Sequence, residues 1–214
     1  MSGTLAHLRG HHGDFAAFRD TMIDTSPGRF GPIWWGVWDQ LVAPSPDATI
    51  VDLGCGPGWL LGALRARLPA ARLYGVEVQP VMLEAARARA AEVGATILES
   101  DLVAPVALPA GAADVVTCVH VVHELPYPVP LYAEMARLLR PGGRAVVYDW
   151  IKIPLATYLG ADPLDEHQVQ HFREHCLYAP EDLEHLARHA GLTVVETLTR
   201  RNGRYALLVL EKPA

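Results

Sequence analysis

The stretch Val51-Asp52-Leu53-Gly54-Cys55-Gly56-Pro57-Gly58 constrains this chain more than any other. A short apolar run, Thr49 to Leu53, leads directly into glycines at three alternate positions, and a helical pattern from Trp59 to Leu68 follows. Glycine permits left-handed backbone and lets another group approach without a Cβ in the way. A buried strand turning sharply into a helix is the opening unit of a β-α alternating fold. The alternation continues: a strand over 72–78, a helix over 80–93 stopped by Gly94, a strand over 96–100, a strand over 114–119, a helix over 130–139 and a strand over 143–150. Such a pattern predicts an α/β fold with a doubly wound, mostly parallel sheet covered on both faces.

The flanks differ in texture. Residues 1–47 form a helical leader, with a helix over 14–24 that Ser26-Pro27-Gly28 is expected to break, then a second over 32–42 carrying Trp34, Trp35 and Trp38. The tryptophans are either an aromatic wall over a site, with Trp35 facing a ligand, or plain helix core. Residues 48–150 make the core, and 151–179, richer in His, Pro and Tyr, an insertion after the fifth strand. Residues 180–214 close the domain with an amphipathic helix over 180–190 and a β-hairpin, strands 193–199 and 205–211 joined through Asn202-Gly203. The two hairpin strands bring the sheet to seven.

Net charge of −6 argues against nucleic acid as the main partner, since phosphate binding needs clustered Lys and Arg. Three scattered cysteines suit neither a disulfide framework nor a zinc ribbon. There is no apolar leader core and no run approaching eighteen apolar residues. The expectation is a cytoplasmic protein with a small-molecule partner, not bound to nucleic acid or membrane.

A dinucleotide loop of the Gly-x-Gly-x-x-Gly type would place its third glycine where Trp59 stands. Asp52-x-Gly54-x-Gly56-x-Gly58 instead resembles motif I of the class I S-adenosylmethionine-dependent methyltransferases of the small-molecule type. Further motifs follow in that family's order: Glu77 ending the second strand, Glu99-Ser100-Asp101-Leu102 after the third, Asp114 to His120 as the fourth strand and its exit, and Leu138-Leu-Arg-Pro-Gly-Gly143 entering the fifth. The resemblance implies S-adenosylmethionine as cofactor. Gly54, Cys55, Gly56 and Gly58 would line its methionine and ribose, and Asp52 would hold the ammonium or order the loop. Glu77 would bind the ribose, Val78 would pack on adenine or be core, Asp101 with Leu102 would recognise the adenine edge, and His120 would border the cofactor. It implies methyl transfer to an oxygen, nitrogen or carbon nucleophile. The alternatives are metal-assisted or non-methylating chemistry at the same cofactor site, or a module that binds the cofactor without turnover.

Catalytic candidates lie beyond the fourth and fifth strands. His123, in His120-Val-Val-His123-Glu124-Leu125-Pro126, is a general base or a local structural cap. Neighbouring side chains usually point apart, which speaks against a His123–Glu124 dyad. Asp149 is a second base, a substrate-amine partner or a cap for the insertion. His167, His171 and His175 recur at helical i, i+4 spacing, a geometry that can chelate a metal. Val169, Phe172 and Cys176 would then be the buried stripe, so the histidines are expected to be a solvated polar face with no metal. His185 and His189 are likewise expected in solvent.

Overall fold

The computed structural model describes residues 3–200 and 203–214. Helices α1 (Gly3–His11), α2 (Phe15–Arg29) and α3 (Pro32–Val37) precede the sheet, and α3 runs into a π-helical turn, Trp38–Val42. The core then alternates: β1 (Thr49–Leu53), α4 (Trp59–Arg67), β2 (Arg72–Glu77), α5 (Pro80–Val93), β3 (Thr96–Glu99), β4 (Ala113–Val119), a 3-10 turn at Val122–Glu124, α6 (Val129–Leu138) and β5 (Leu139–Trp150). Helices α7 (Leu155–Leu159) and α8 (Glu166–His175) form the insertion. Helix α9 (Pro180–His189) and strands β6 (Thr193–Arg200) and β7 (Tyr205–Glu211) close the chain. Asn202, the expected hairpin turn residue, lies outside the described residues.

The seven strands form one sheet, as expected, in the order β3-β2-β1-β4-β5-β7-β6. β1 to β5 are mutually parallel, and β7 enters antiparallel between β5 and β6. The carboxyl ends of five strands therefore share one edge, and the strand order switches between β1 and β4, where open α/β sheets bind ligands. β1 is buried throughout, as a central parallel strand with helices on both faces must be. No helix among the described residues is long and apolar enough to cross a membrane.

Helix α2 departs from expectation. Ser26, Pro27 and Gly28 do not break it; they lie inside it. A proline lacks the N–H that would close its own turn. Hydroxyls of Thr21, Thr25 and Ser26 each donate to the carbonyl four residues back, and Arg29 reaches Thr25 Oγ1 at 2.7 Å. Asp14 caps the other end through the N–H groups of Ala16 and Ala17. β5 is also longer than expected: Leu139 already pairs with Ala113, and the Pro141-Gly142-Gly143 stretch bulges before the ladder resumes at Arg144. Trp34 and Trp38 are core, each 3% exposed, with Trp34 packed beside Tyr148.

Gly75, in the middle of β2, sets how closely the glycine loop sits on the sheet. A Cβ there would stand 2.8 Å from Cys55 Sγ and 2.9 Å from both Ile97 Cδ1 and Leu61 Cδ1. Overpacking of this kind typically costs about 1–3 kcal/mol. Gly75→Ala should lower the urea midpoint by the equivalent of that loss at unchanged m-value; an unchanged midpoint would show that the loop is not held this tightly.

Candidate active site

The glycine loop hangs from the end of β2. Gly54 and Cys55 both donate their N–H to the Val76 carbonyl. Gly54, Gly56 and Gly58 have φ of +70°, +54° and +78°. A Cβ on Gly54 would collide with Val121 Cγ2, whereas the position at Gly56 opens into free space. Glu77 ties the loop together: Oε2 accepts from Gly56 N at 2.9 Å, and Oε1 accepts from Val78 N and Gln79 N at 2.8 and 2.9 Å. Burial raises its pKa against these three N–H groups. Asp52, 3% exposed, accepts from Thr117 Oγ1 at 2.7 Å, and burial pushes its carboxyl up to about 7.

These residues wall a cavity of about 950 Å³, counting its open mouth. That is the size range of sites for cofactor-sized ligands. Asp52, Gly54, Cys55, Gly56, Glu77, Val78, Leu102 and His120 all line it. Gly58 caps the start of α4 and backs onto Arg89. Asp101 is not on the wall: its Oδ1 accepts from Thr4 Oγ1 at 2.6 Å, which latches α1 to the core, and its Oδ2 is buried without a hydrogen-bond partner among the described residues. The leader completes the enclosure through Phe15, Phe18, Met22, Ser26 and Arg29, the inner stripe of α2. The aromatic surface here is Phe30 stacked on Trp59, centroids 5.1 Å apart. Trp35 is not on this wall; it lies under the Arg67 guanidinium at 4.4 Å. Ser26 and Arg29 of this stripe, and Phe30 of the aromatic pair, lie beyond the helix expected over 14–24.

A second chamber of about 1220 Å³ adjoins the first, and Phe18, Met22, Arg29, His120 and Glu124 face both. His11, His12, His123, His167, His171 and His175 line it. At its floor Asp149, 1% exposed, spends its carboxylate on the fold: Oδ2 accepts from Val121 N at 3.0 Å and Val122 N at 2.6 Å, and Oδ1 accepts from Trp150 N at 2.7 Å and from His123 Nδ1. It lines neither chamber, so it is neither base nor amine partner; it organises the exit of β4 rather than the insertion. His120 at that exit takes φ +59°, an unusual conformation for a non-glycine residue.

In the 3-10 turn His123 and Glu124 converge, against expectation, with Nε2 3.3 Å from Oε1. Burial would lower the His123 pKa, but the charges of Asp149 and Glu124 raise it to about 10. Such an imidazole is already protonated at neutral pH, which removes His123 as a ready general base. Burial would raise Glu124, but His123, His11 and His12 hold it well below the usual carboxylate range. His12 Nε2 stands 2.7 Å from Glu124 Oε1, and His11 Nδ1 is 3.5 Å from Oε2. In the insertion helix α8, Cys176 is buried and Val169 and Phe172 half-buried as expected, but two of the three histidines are not in solvent. His175 is 7% exposed, His171 stacks on it with centroids 3.8 Å apart, and only His167 is exposed. Burial, aided by the His123 charge, pushes His175 down to about 3. His185 and His189 are exposed as expected.

A family model described as a methyltransferase domain matches residues 51–147. The ubiquinone biosynthesis O-methyltransferase of Burkholderia thailandensis is 31% identical over 167 residues, 74% of this chain and 70% of that protein. The chain belongs to the class I S-adenosylmethionine-dependent methyltransferases. The protein of the same name from Cupriavidus pinatubonensis is 29% identical over 184 residues, 81% of this chain and 69% of that one. A solved methyltransferase from Aquifex aeolicus shares the fold with a TM-score of 0.70 and 18% identity, over 91% of this chain and 96% of the other. S-adenosylmethionine is thus the cofactor of this methyltransferase, and the bare Gly56 cradle, the acidic Glu77 and the apolar Val78, Met82 and Leu102 in one cavity fit it.

Asp149 is a structural carboxylate, and its removal would strand three backbone N–H groups and the His123 charge. Asp149→Ala should cost about 3–5 kcal/mol of stability, as for other broken buried pairs. Chemical denaturation checks this. A loss of activity with wild-type stability would return Asp149 to the catalytic list.

Proposed function

We propose that this methyltransferase transfers its methyl group to a nucleophilic atom of a small molecule seated in the histidine-lined chamber. The observation that carries the reading is that Phe18, Met22, Arg29, His120 and Glu124 line both the cofactor cavity and that chamber, which makes the two immediate neighbours. The name O-methyltransferase borne by the relatives favours oxygen over nitrogen or carbon as the acceptor atom. Residues 1–47 and 151–179 act as two halves of a lid over a core of residues 48–150 and 180–214.

The cofactor supplies a methyl group already activated on a sulfonium, so alignment and water exclusion are the protein's main contributions. Gly54, Cys55 and Gly56 seat the methionine and ribose portion, and Gly58 starts the helix behind them. Asp52 lies within reach of the ammonium. Glu77 has lone pairs beyond its three N–H contacts for ribose hydroxyls. Val78 and Leu102 enclose the adenine, while Asp101 serves by holding Thr4 of the lid. His120 stands on the boundary that the two cavities share. His123 acts through its position beside Glu124 rather than as a proton acceptor.

Glu77→Ala should weaken S-adenosylmethionine binding by about 1–3 kcal/mol, measured by calorimetry; unchanged affinity would remove Glu77 from the ribose site. Thr21, exposed on α2, faces the second chamber only. Thr21→Trp should raise KM for the acceptor and leave cofactor affinity as it was. The reading itself is tested by incubating the protein with S-adenosylmethionine and a panel of hydroxylated small molecules, following demethylated cofactor and product mass. Methylated product supports it. Tight cofactor binding with no acceptor methylated across oxygen, nitrogen and carbon nucleophiles would overturn it.

A further inference from the structure

The methyl-transfer reading gives no role to a cluster of buried possible metal ligands in the acceptor chamber. Within it, one possible ligand atom each from His123, Glu124 and His175 lies within 4.8 Å of the other two, and all three residues are buried. Two imidazoles and a carboxylate form a donor set that suits zinc and its d-block neighbours.

Both histidines are anchored through Nδ1. His123 Nδ1 donates to Asp149 Oδ1, which leaves Nε2 turned toward Glu124. His175 Nδ1 donates to the His171 carbonyl at 2.9 Å, which leaves its Nε2 as the ligand nitrogen. His12 Nε2 holds Glu124 Oε1 at 2.7 Å. Carboxylate–histidine and carbonyl–histidine pairs of this kind fix the tautomer and ring orientation of metal-binding imidazoles. His11 Nδ1 stands 3.5 Å from the other Glu124 oxygen, Oε2, so three imidazoles converge on this one buried carboxylate.

We propose that His123, Glu124 and His175 bind one divalent transition-metal ion of the zinc type, with an open coordination position facing the acceptor chamber. Zinc ligands stand about 2.0–2.2 Å from the ion, so the cluster contracts slightly on binding, a movement that the end of α8 can supply. The role of the ion rests on the methyl-transfer reading. An acceptor hydroxyl bound at the open position releases its proton to water at a lowered pKa. Its oxygen forms the new C–O bond to the methyl carbon, the C–S bond breaks, and its electron pair passes to sulfur, which turns from sulfonium to neutral thioether.

The test is titration of chelator-treated protein with Zn²⁺ by calorimetry and with Co²⁺ by visible absorption. S-adenosylmethionine affinity and far-ultraviolet circular dichroism are measured on the same samples. One ion per chain is expected, with a tetrahedral or five-coordinate Co²⁺ spectrum. His175→Ala and Glu124→Gln should each weaken binding by about 100-fold or more while the fold is kept; even the outer partners of metal ligands are commonly worth about 10–100-fold. His167→Ala, at the exposed end of α8, should bind as wild type does. Absence of binding at micromolar metal, or binding lost in His167→Ala and retained in His175→Ala, overturns the site. If cofactor binding persists in that case, the methyl-transfer reading stands without the ion. A protein that takes up the ion at these residues but binds no S-adenosylmethionine overturns that reading and leaves the metal site standing.

Discussion

Four hydrogen bonds to one buried carboxylate hold the catalytic edge of this protein together. Asp149, near the end of β5, gathers the N–H groups of Val121, Val122 and Trp150 and the Nδ1 of His123. Parallel strands bring β4 and β5 side by side but leave the chain beyond β4 free to take many paths. The carboxylate selects one of them. It turns Val121 against the glycine loop, where the Gly54 position has no room for a Cβ, and it holds His123 in the second chamber beside Glu124, which lines both cavities. Cofactor cradle and acceptor chamber are therefore positioned by the same contact.

The lid is attached by polar contacts to these same elements. Thr4 bonds Asp101 beyond β3, and His11 and His12 surround Glu124 beyond β4. Between these attachments α2 lays its inner stripe along both chambers. The leader's far end is fixed differently, since Phe30, Trp34, Val37, Trp38 and Val42 belong to the hydrophobic cluster under β1, so any opening is confined to α1 and α2. Closure removes water from the junction and strengthens every charge interaction there.

Much of the fold was legible because period and punctuation agreed. Asp52-x-Gly54-x-Gly56-x-Gly58 marked the first turn, Pro80 and Gly94 bounded α5, and alternation in the closing hairpin was clear. What was not legible depended on which neighbour a side chain meets. Pro27 read as a helix breaker because its local chemistry is, yet the helix continues through it to Arg29. Asp149 read as a base because it ends a strand at the catalytic edge, and nothing local reveals that backbone N–H groups of the next strand's exit consume it. His171 and His175 read as a solvated face since Val169 and Phe172 offered a more apolar alternative. Only the three-dimensional position of Glu124 makes the histidine face worth burying as well. The His123–Glu124 convergence was missed for a related reason: adjacent side chains diverge on a strand, but a tight 3-10 turn can bring both toward one centre.

The central claim is that a cofactor cavity and an acceptor chamber meet at His120 and Glu124. A crystal structure with the demethylated cofactor, S-adenosylhomocysteine, tests it most directly. The account predicts its ribose on Glu77, its adenine between Val78 and Leu102, and its sulfur at that shared boundary directed toward the histidine chamber. A sulfur turned away from that chamber, or a cofactor seated outside the Gly54–Gly56 cradle, would contradict it.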